Sequence, residues 1–166
     1  MPDRTMDIDK LRWRWCRFDE LSLRELDAIH RARQQVFIVE QACVYLDADG
    51  IDADSHHLAA WSDSGVDLHA EPLAYARLVP PGRLYAEPSM GRVITTAAGR
   101  GHGLGRELVR RLLAEAALAY PGHGMRISSQ AYLRGFYAGF GFDAVGEIYL
   151  EDGIPHIEML KPAGRE

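Results

Sequence analysis

The sequence predicts a mixed α/β domain with helices packed on a sheet. Apolar residues recur at period two in some segments and at helical spacing in others, and the two kinds alternate along the chain. At 166 residues the chain is long enough to bury one substantial core. It is 47% hydrophobic and 26% charged, too apolar and too balanced in charge for disorder. One domain spanning residues 1–166 is expected, with no repeat, linker or low-complexity segment.

Residues 11–18 read as a strand, with Leu11, Trp13 and Trp15 on one face. Ser22 looks like an N-cap, and Glu25 three residues later completes a capping box. Leu23, Leu26, Ile29, His30 and Arg33 carry helical spacing on towards Phe37. Residues 43–55 lose all period and read as a loop. Residues 58–61 and 73–79 read as strands separated by a turn at Gly65, and Pro80-Pro81-Gly82 stops the second. Residues 90–95 form a further strand, and 99–105 a glycine-dense loop. Leu104, Leu108, Val109, Leu112, Leu113 and Ala116 then mark the stripe of a helix ending before Pro121-Gly122. Residues 125–131 read as strand and 133–140 as a short helix. Residues 144–150 and 156–160 close the chain as a strand pair around Asp152-Gly153.

Composition excludes several classes. Cys16 and Cys43 alone do not make a disulfide scaffold. A net charge of −5 disfavours nucleic acid, whose phosphates repel an acidic surface. No stretch approaches 18 uninterrupted apolar residues, so no membrane span is expected, and Met1-Pro2-Asp3-Arg4 lacks the pattern of a signal peptide. A soluble, cytoplasmic protein is the expectation. Within the total the charge is uneven. Residues 40–71 hold eight acids and no Lys or Arg, whereas residues 91–111 hold five arginines against Glu107 alone. Such runs are most often solvated faces. The alternative is two sites of opposite sign, one for an anion and one for a cation.

The strongest local signal is Gly99-Arg100-Gly101-His102-Gly103-Leu104-Gly105-Arg106. A glycine loop that follows a strand and opens a helix gathers free N–H groups at the positive end of the helix dipole, an anion site suited to phosphate. The Gly-Lys-Ser/Thr of a nucleotide-hydrolysing loop is absent, and the G-x-G-x-x-G spacing of dinucleotide binders fails. Metal readings also fail. Asp47, Asp49 and Gly50 have the wrong spacing for a calcium loop, and Cys43 with His56-His57 lacks the paired spacing of a zinc site.

What remains is Arg-x-x-Gly-x-Gly over 100–105, followed about thirty residues later by Phe136-Tyr137-Ala138-Gly139-Phe140-Gly141-Phe142. The pair resembles the pyrophosphate loop and the Phe-Tyr-x-x-x-Gly-Phe segment of the GNAT N-acetyltransferase superfamily. Glu40-Gln41, Cys43, Tyr45, Asp47, Asp49-Gly50, His57, Trp61, Tyr75-Ala76-Arg77, Gly91-Arg92-Val93 and the 151–156 segment are similar to its ElaA-like subgroup. Val44 stands where that subgroup often has proline. Ala97-Ala98 replaces the superfamily's usual proline after the fourth strand, and Gln130 stands where many relatives have asparagine.

The resemblance implies a central mixed, mostly antiparallel sheet of about seven strands flanked by about four helices. It also implies acetyl-CoA as cosubstrate and a primary amine of a small molecule or peptide as acceptor. Val93, Ile94 and Thr95 would line the cofactor and polarise its carbonyl through backbone N–H groups. Arg100, Gly101, His102, Gly103, Leu104, Gly105 and Arg106 would cradle the pyrophosphate, and Gln130 would face the pantetheine. Tyr137 would protonate the leaving sulfur. An ammonium of pKa about 10.4 must lose a proton before attack, so a base is needed. The candidates are His156, with Glu151 and Asp152 beside it, or His57 and Glu40 on the acceptor side. His156 is carried forward as the catalytic residue, with Glu40, Asp49 and His57 as acceptor-binding residues. Homodimers are common in the superfamily, which leaves that assembly open.

Two rival readings stand. Arg33, Phe37, Asp49, Asp52 and Arg77 also look like the N-terminal half of acyl-homoserine-lactone synthases. A non-catalytic acyl-CoA-binding module is the other, although it has no need of Tyr137.

Overall fold

A computed structural model describes residues 6–63 and 70–164; the turn expected at Gly65 lies outside them. Strands β1 (Arg12–Arg17), β2 (His56–Trp61), β3 (Ala74–Val79) and β4 (Ser89–Thr95) form an antiparallel sheet in sequence order. Strands β5 (Met125–Gln130), β6 (Asp143–Glu151) and β7 (Ile154–Lys161) form a second, in the order β5-β7-β6. The seven expected strands are therefore present, as two sheets rather than one continuous ladder. The starts of β4 and β5 touch through one backbone bond, Arg126 N–H to Pro88 O, and the ladder goes no further. A cleft opens between them.

Helix α1 (Leu23–Gln34) starts on the expected capping box, with Ser22 Oγ accepting from Glu25 N and Glu25 accepting from Ser22 N. Ala28, Ile29 and Ala32 pack on one face of the first sheet, against Ala59, Trp61, Tyr75 and Ile94. Helix α2 (Leu104–Ala119) covers the other face. Its Leu104, Leu108, Val109 and Leu112 meet Leu58, Ala60, Ala76 and Leu78. Burial on both faces explains why β2 and β3 read as nearly unbroken apolar runs. Full burial of Leu108 or Leu112 contributes about 1.5–3 kcal/mol each. Leu11, Trp13 and Trp15 pack on this same cluster, as period two requires.

Helix α3 (Arg134–Ala138) sits beside the second sheet. Where about four helices were expected, the described residues hold three α-helices plus a π-helical continuation of α1 over Gln35–Glu40. Such π segments are rare and tend to occur at functional sites. No described helix is long and apolar enough to cross a membrane.

Candidate active site

The cleft between β4 and β5 continues into a cavity of about 410 Å³. Its wall includes Val93 from β4, Ser128 and Gln130 from β5, Tyr137 from α3, and Glu151 and His156 from the closing hairpin. Strand β4 carries a bulge at this point. Tyr75 pairs with Ile94 and Arg77 with Gly91, so Ala76 opposes both Arg92 and Val93. Arg92 takes a positive φ of 52° at the bulge. A bulge bends the strand and re-aims its side chains, and here Val93 reaches the cavity while Ile94 stays in the core behind. On its other side β4 has no ladder partner past Pro88, so the backbone of Val93–Thr95 is open to the cleft.

The glycine loop lies at the end of β4, outside the cavity wall. Gly103 is the N-cap of α2 at φ 75°, a left-handed conformation that suits glycine, and no side chain caps the helix. The first N–H groups of α2 therefore have no side-chain cap among the described residues, and their partial charge favours an anion. Gly99 is required for a different reason: a Cβ there would sit 2.3 Å from Leu73 O. Arg100 bonds Thr95 O through Nε at 3.1 Å and meets Glu40 Oε2 through Nη2 at 2.5 Å. Arg106 lies over the Phe136 and Phe140 rings and, among the described residues, has no carboxylate partner. An uncapped helix start with a free arginine nearby fits a pyrophosphate, and the unpaired edge of β4 fits an amide-bearing arm.

Tyr137 is 6% exposed, and its hydroxyl has no hydrogen-bond partner among the described residues. Burial, with a smaller contribution from Tyr132, pushes the phenol well above its usual range, so it stays protonated. Gln130 Nε2 donates to Gln41 Oε1 at 3.2 Å across the cleft. His156 Nδ1 donates to Ile154 O at 2.7 Å, because a carbonyl can only accept. That contact leaves Nε2 to face Glu151 Oε2 at 3.3 Å.

Of the three residues expected at the acceptor, only Asp49 lines the cavity. Glu40 is tied to Arg100. His57 is buried, with Nδ1 2.6 Å from the Tyr75 hydroxyl and Nε2 2.9 Å from Asp52 O; burial holds its pKa below the usual histidine value. Asp49 belongs to an arrangement that the sequence did not disclose, a closed ring of alternating charges. Arg33 pairs with Asp47 at 2.9 Å and Asp52 at 2.8 Å. Arg77 pairs with Asp52 at 2.9 Å and Asp49 at 2.6 Å. Arg92 closes the ring on Asp49 at 3.2 Å and Asp47 at 2.9 Å. Burial alone would raise the Asp49 carboxyl, but hydrogen bonds from Arg77 and the Ile51 N–H, with the charges of Arg77 and Arg92, hold it well below its usual range. Asp52 is lowered in the same way, by Arg33 and Arg77 against burial.

The acidic run is thus mostly neutralised. Glu40, Asp47, Asp49, Asp52, Asp54 and Glu71 each meet an arginine. Of the residues that carried the likeness to lactone synthases, Arg33, Asp49, Asp52 and Arg77 are four of the six members of the ring, and Phe37 lies outside it. No group of three or more metal-ligating side chains occurs among the described residues.

A family model described as acetyltransferase (GNAT) domain matches residues 71–162, which hold the β4 bulge, the glycine loop and Tyr137. The chain belongs to the GNAT family. Within this family it is 37% identical to protein ElaA of Escherichia coli over 91% of this chain and 96% of that protein. The crystal structure of E. coli ElaA superposes with a TM-score of 0.82, covering 91% of this chain and 99% of that one. An acyl-CoA N-acyltransferase from Pseudomonas aeruginosa superposes at 0.84, with 42% identity over 91% of this chain and 99% of that one. This GNAT chain is therefore ElaA-like, with an acyltransferase fold that takes an acyl-CoA cosubstrate. A CoA-dependent acyl-homoserine lactone synthase superposes at 0.73 with 13% identity over 93% of this chain and 84% of that one, a likeness of fold alone.

Proposed function

We propose that the chain is an N-acetyltransferase that moves the acetyl group of acetyl-CoA directly to a primary amine, with both substrates bound together. The reading is carried by Tyr137, a buried residue whose hydroxyl has no partner among the described residues and which lines the cavity between β4 and β5. When bound, acetyl-CoA supplies an activated acyl carbon on a sulfur leaving group. The uncapped start of α2 and Arg106 hold the pyrophosphate, with Arg100 once it parts from Glu40. The backbone of Val93–Thr95 and the Gln130 amide hold the arm that leads inward.

His156 Nε2 takes a proton from the acceptor's ammonium; its tautomer is set by the Ile154 carbonyl. The nitrogen's electron pair then forms the N–C bond as the C–S bond breaks. Tyr137 gives its proton to the departing sulfur and regains one from the proton the nitrogen sheds as the amide forms. One proton leaves per turnover. General acid help of this kind is worth about 10²–10⁴ in rate.

The test is a thermal shift with acetyl-CoA, followed by a thiol-release assay over polyamines, an aminoglycoside and lysine peptides. Stabilisation by millimolar acetyl-CoA is expected, and no shift overturns the reading. Tyr137→Phe should lower kcat about 10²-fold or more with the acetyl-CoA Kd unchanged.

A further inference from the structure

The register of the second sheet sorts its polar residues onto one face. Gln130 and Tyr149 both stand opposite His156, and Ser128 stands opposite Glu158. Two residues beyond Tyr149, and so on the same face, is Glu151. The side chains meet as this predicts. The Tyr149 ring stacks on His156, Tyr149 and Ser128 share a short hydrogen bond through their hydroxyls, and Ser128 Oγ donates to Glu151 Oε2 at 3.4 Å. The turn Asp152-Gly153 holds the tip, with both residues at positive φ, and Cys43 Sγ packs 3.8 Å from Asp152 O.

The acids in the cavity wall differ in their partners. Asp49 is shared between Arg77 and Arg92. Among the described residues Glu151 meets only His156 and a serine hydroxyl, and its side chain is 53% exposed. Asp152, next to it, has no side-chain partner among the described residues. The buried Tyr137 lines the same cavity, and its hydroxyl has no partner among the described residues. The free negative charge of the wall therefore lies at the β6–β7 tip and not in the acidic run from residue 40 to 71.

We propose that Glu151 recognises the acceptor as a cation, binding its ammonium beside His156 Nε2. This rests on the acetyltransferase reading above. Glu151 draws in the protonated form of the amine, which dominates near neutral pH. It holds that nitrogen next to the group that deprotonates it. When the N–H proton has passed to Nε2, the positive charge has moved from ammonium to imidazolium and still faces the same carboxylate at 3.3 Å. Glu151 forms no covalent bond and passes on no proton. The acceptors that fit are primary alkylamines with an uncrowded ammonium, such as the end of a diamine or a lysine side chain.

The test titrates the CoA-loaded protein with 1,5-diaminopentane, following amide shifts by NMR. Shifts confined to residues 149–156 are expected, with affinity about ten-fold weaker in Glu151→Gln, the loss of one charge-assisted contact. Asp54→Asn, a surface change paired with Arg83, should leave the affinity unchanged. In turnover, Glu151→Gln should raise the amine KM about ten-fold with a smaller fall in kcat, and His156→Gln should do the reverse. Absence of shifts in the hairpin, or an unchanged affinity in Glu151→Gln, overturns the assignment. Failure of the acetyltransferase reading is visible separately, as wild-type protein that acetyl-CoA does not stabilise.

Discussion

Arg100 and Glu40 meet at 2.5 Å, one from the glycine loop before α2 and the other from the last turn of the π-helical segment. The arginine placed to meet a pyrophosphate is thus held by a carboxylate, and the next residue, Gln41, holds Gln130 on the opposite sheet. Both cofactor contacts compete with contacts from one short stretch of chain. Glu40→Gln should therefore tighten acetyl-CoA about two- to five-fold, the scale of an exposed ion pair. Calorimetric titration at low salt measures it, and the difference should shrink in 0.5 M salt, where such pairs are screened. Equal or weaker affinity in the variant would show that the pair does not oppose the cofactor.

The ring of Arg33, Asp47, Asp52, Arg77, Asp49 and Arg92 has no net charge, and Arg33 is fully buried within it. Removing one member leaves a buried charge without its counterpart. Arg33→Met should cost about 3–5 kcal/mol in denaturant unfolding, far more than a surface pair. A loss under 1 kcal/mol would mean that water reaches Asp47 and Asp52 readily.

Stability should fall with acid in two stages. His57 is held neutral by burial, so below about pH 6.5 the unfolded chain takes up a proton that the folded one refuses. Asp49 and Asp52 have lowered folded pKa values. They contribute stability above their usual value near 3.8 and lose it as pH falls through the lower folded values. Melting temperatures from pH 8 to 3 should decline gently below 6.5 and steeply below about 4. A flat profile between 7 and 5 would show that His57 protonates without cost.

Elements whose cause is local were legible in the sequence. Ser22 and Glu25 cap α1 because the two bonds lie within one turn. Asp152-Gly153 turns because two adjacent residues accept left-handed φ. The glycine loop announces an uncapped helix for the same reason. The ring was not legible, because its pairs join residues 14 to 45 positions apart and no period marks them. Counting charge along residues 40–71 therefore left a cation site open as an alternative to a solvated face, and arginines from outside the segment, Arg33, Arg77 and Arg92 among them, neutralise most of its acids. The helical pattern towards Phe37 gave no sign that the backbone changes to π geometry at Gln35, since the apolar stripe hardly shifts over so few residues. His57 drew notice for its chemistry, and only the fold shows both its nitrogens already engaged.

The closed ring also bears on how this chain can drift. A single exchange that removes the charge at Arg33, Asp47, Asp52 or Arg77 leaves an opposite charge short of a partner in the interior, so such a step passes through a weakened protein. A second change at a neighbouring ring position restores neutrality and much of what the first removed. The charge of each ring residue is therefore tied to that of its neighbours, so that a change at one position is best accommodated by a change at the next.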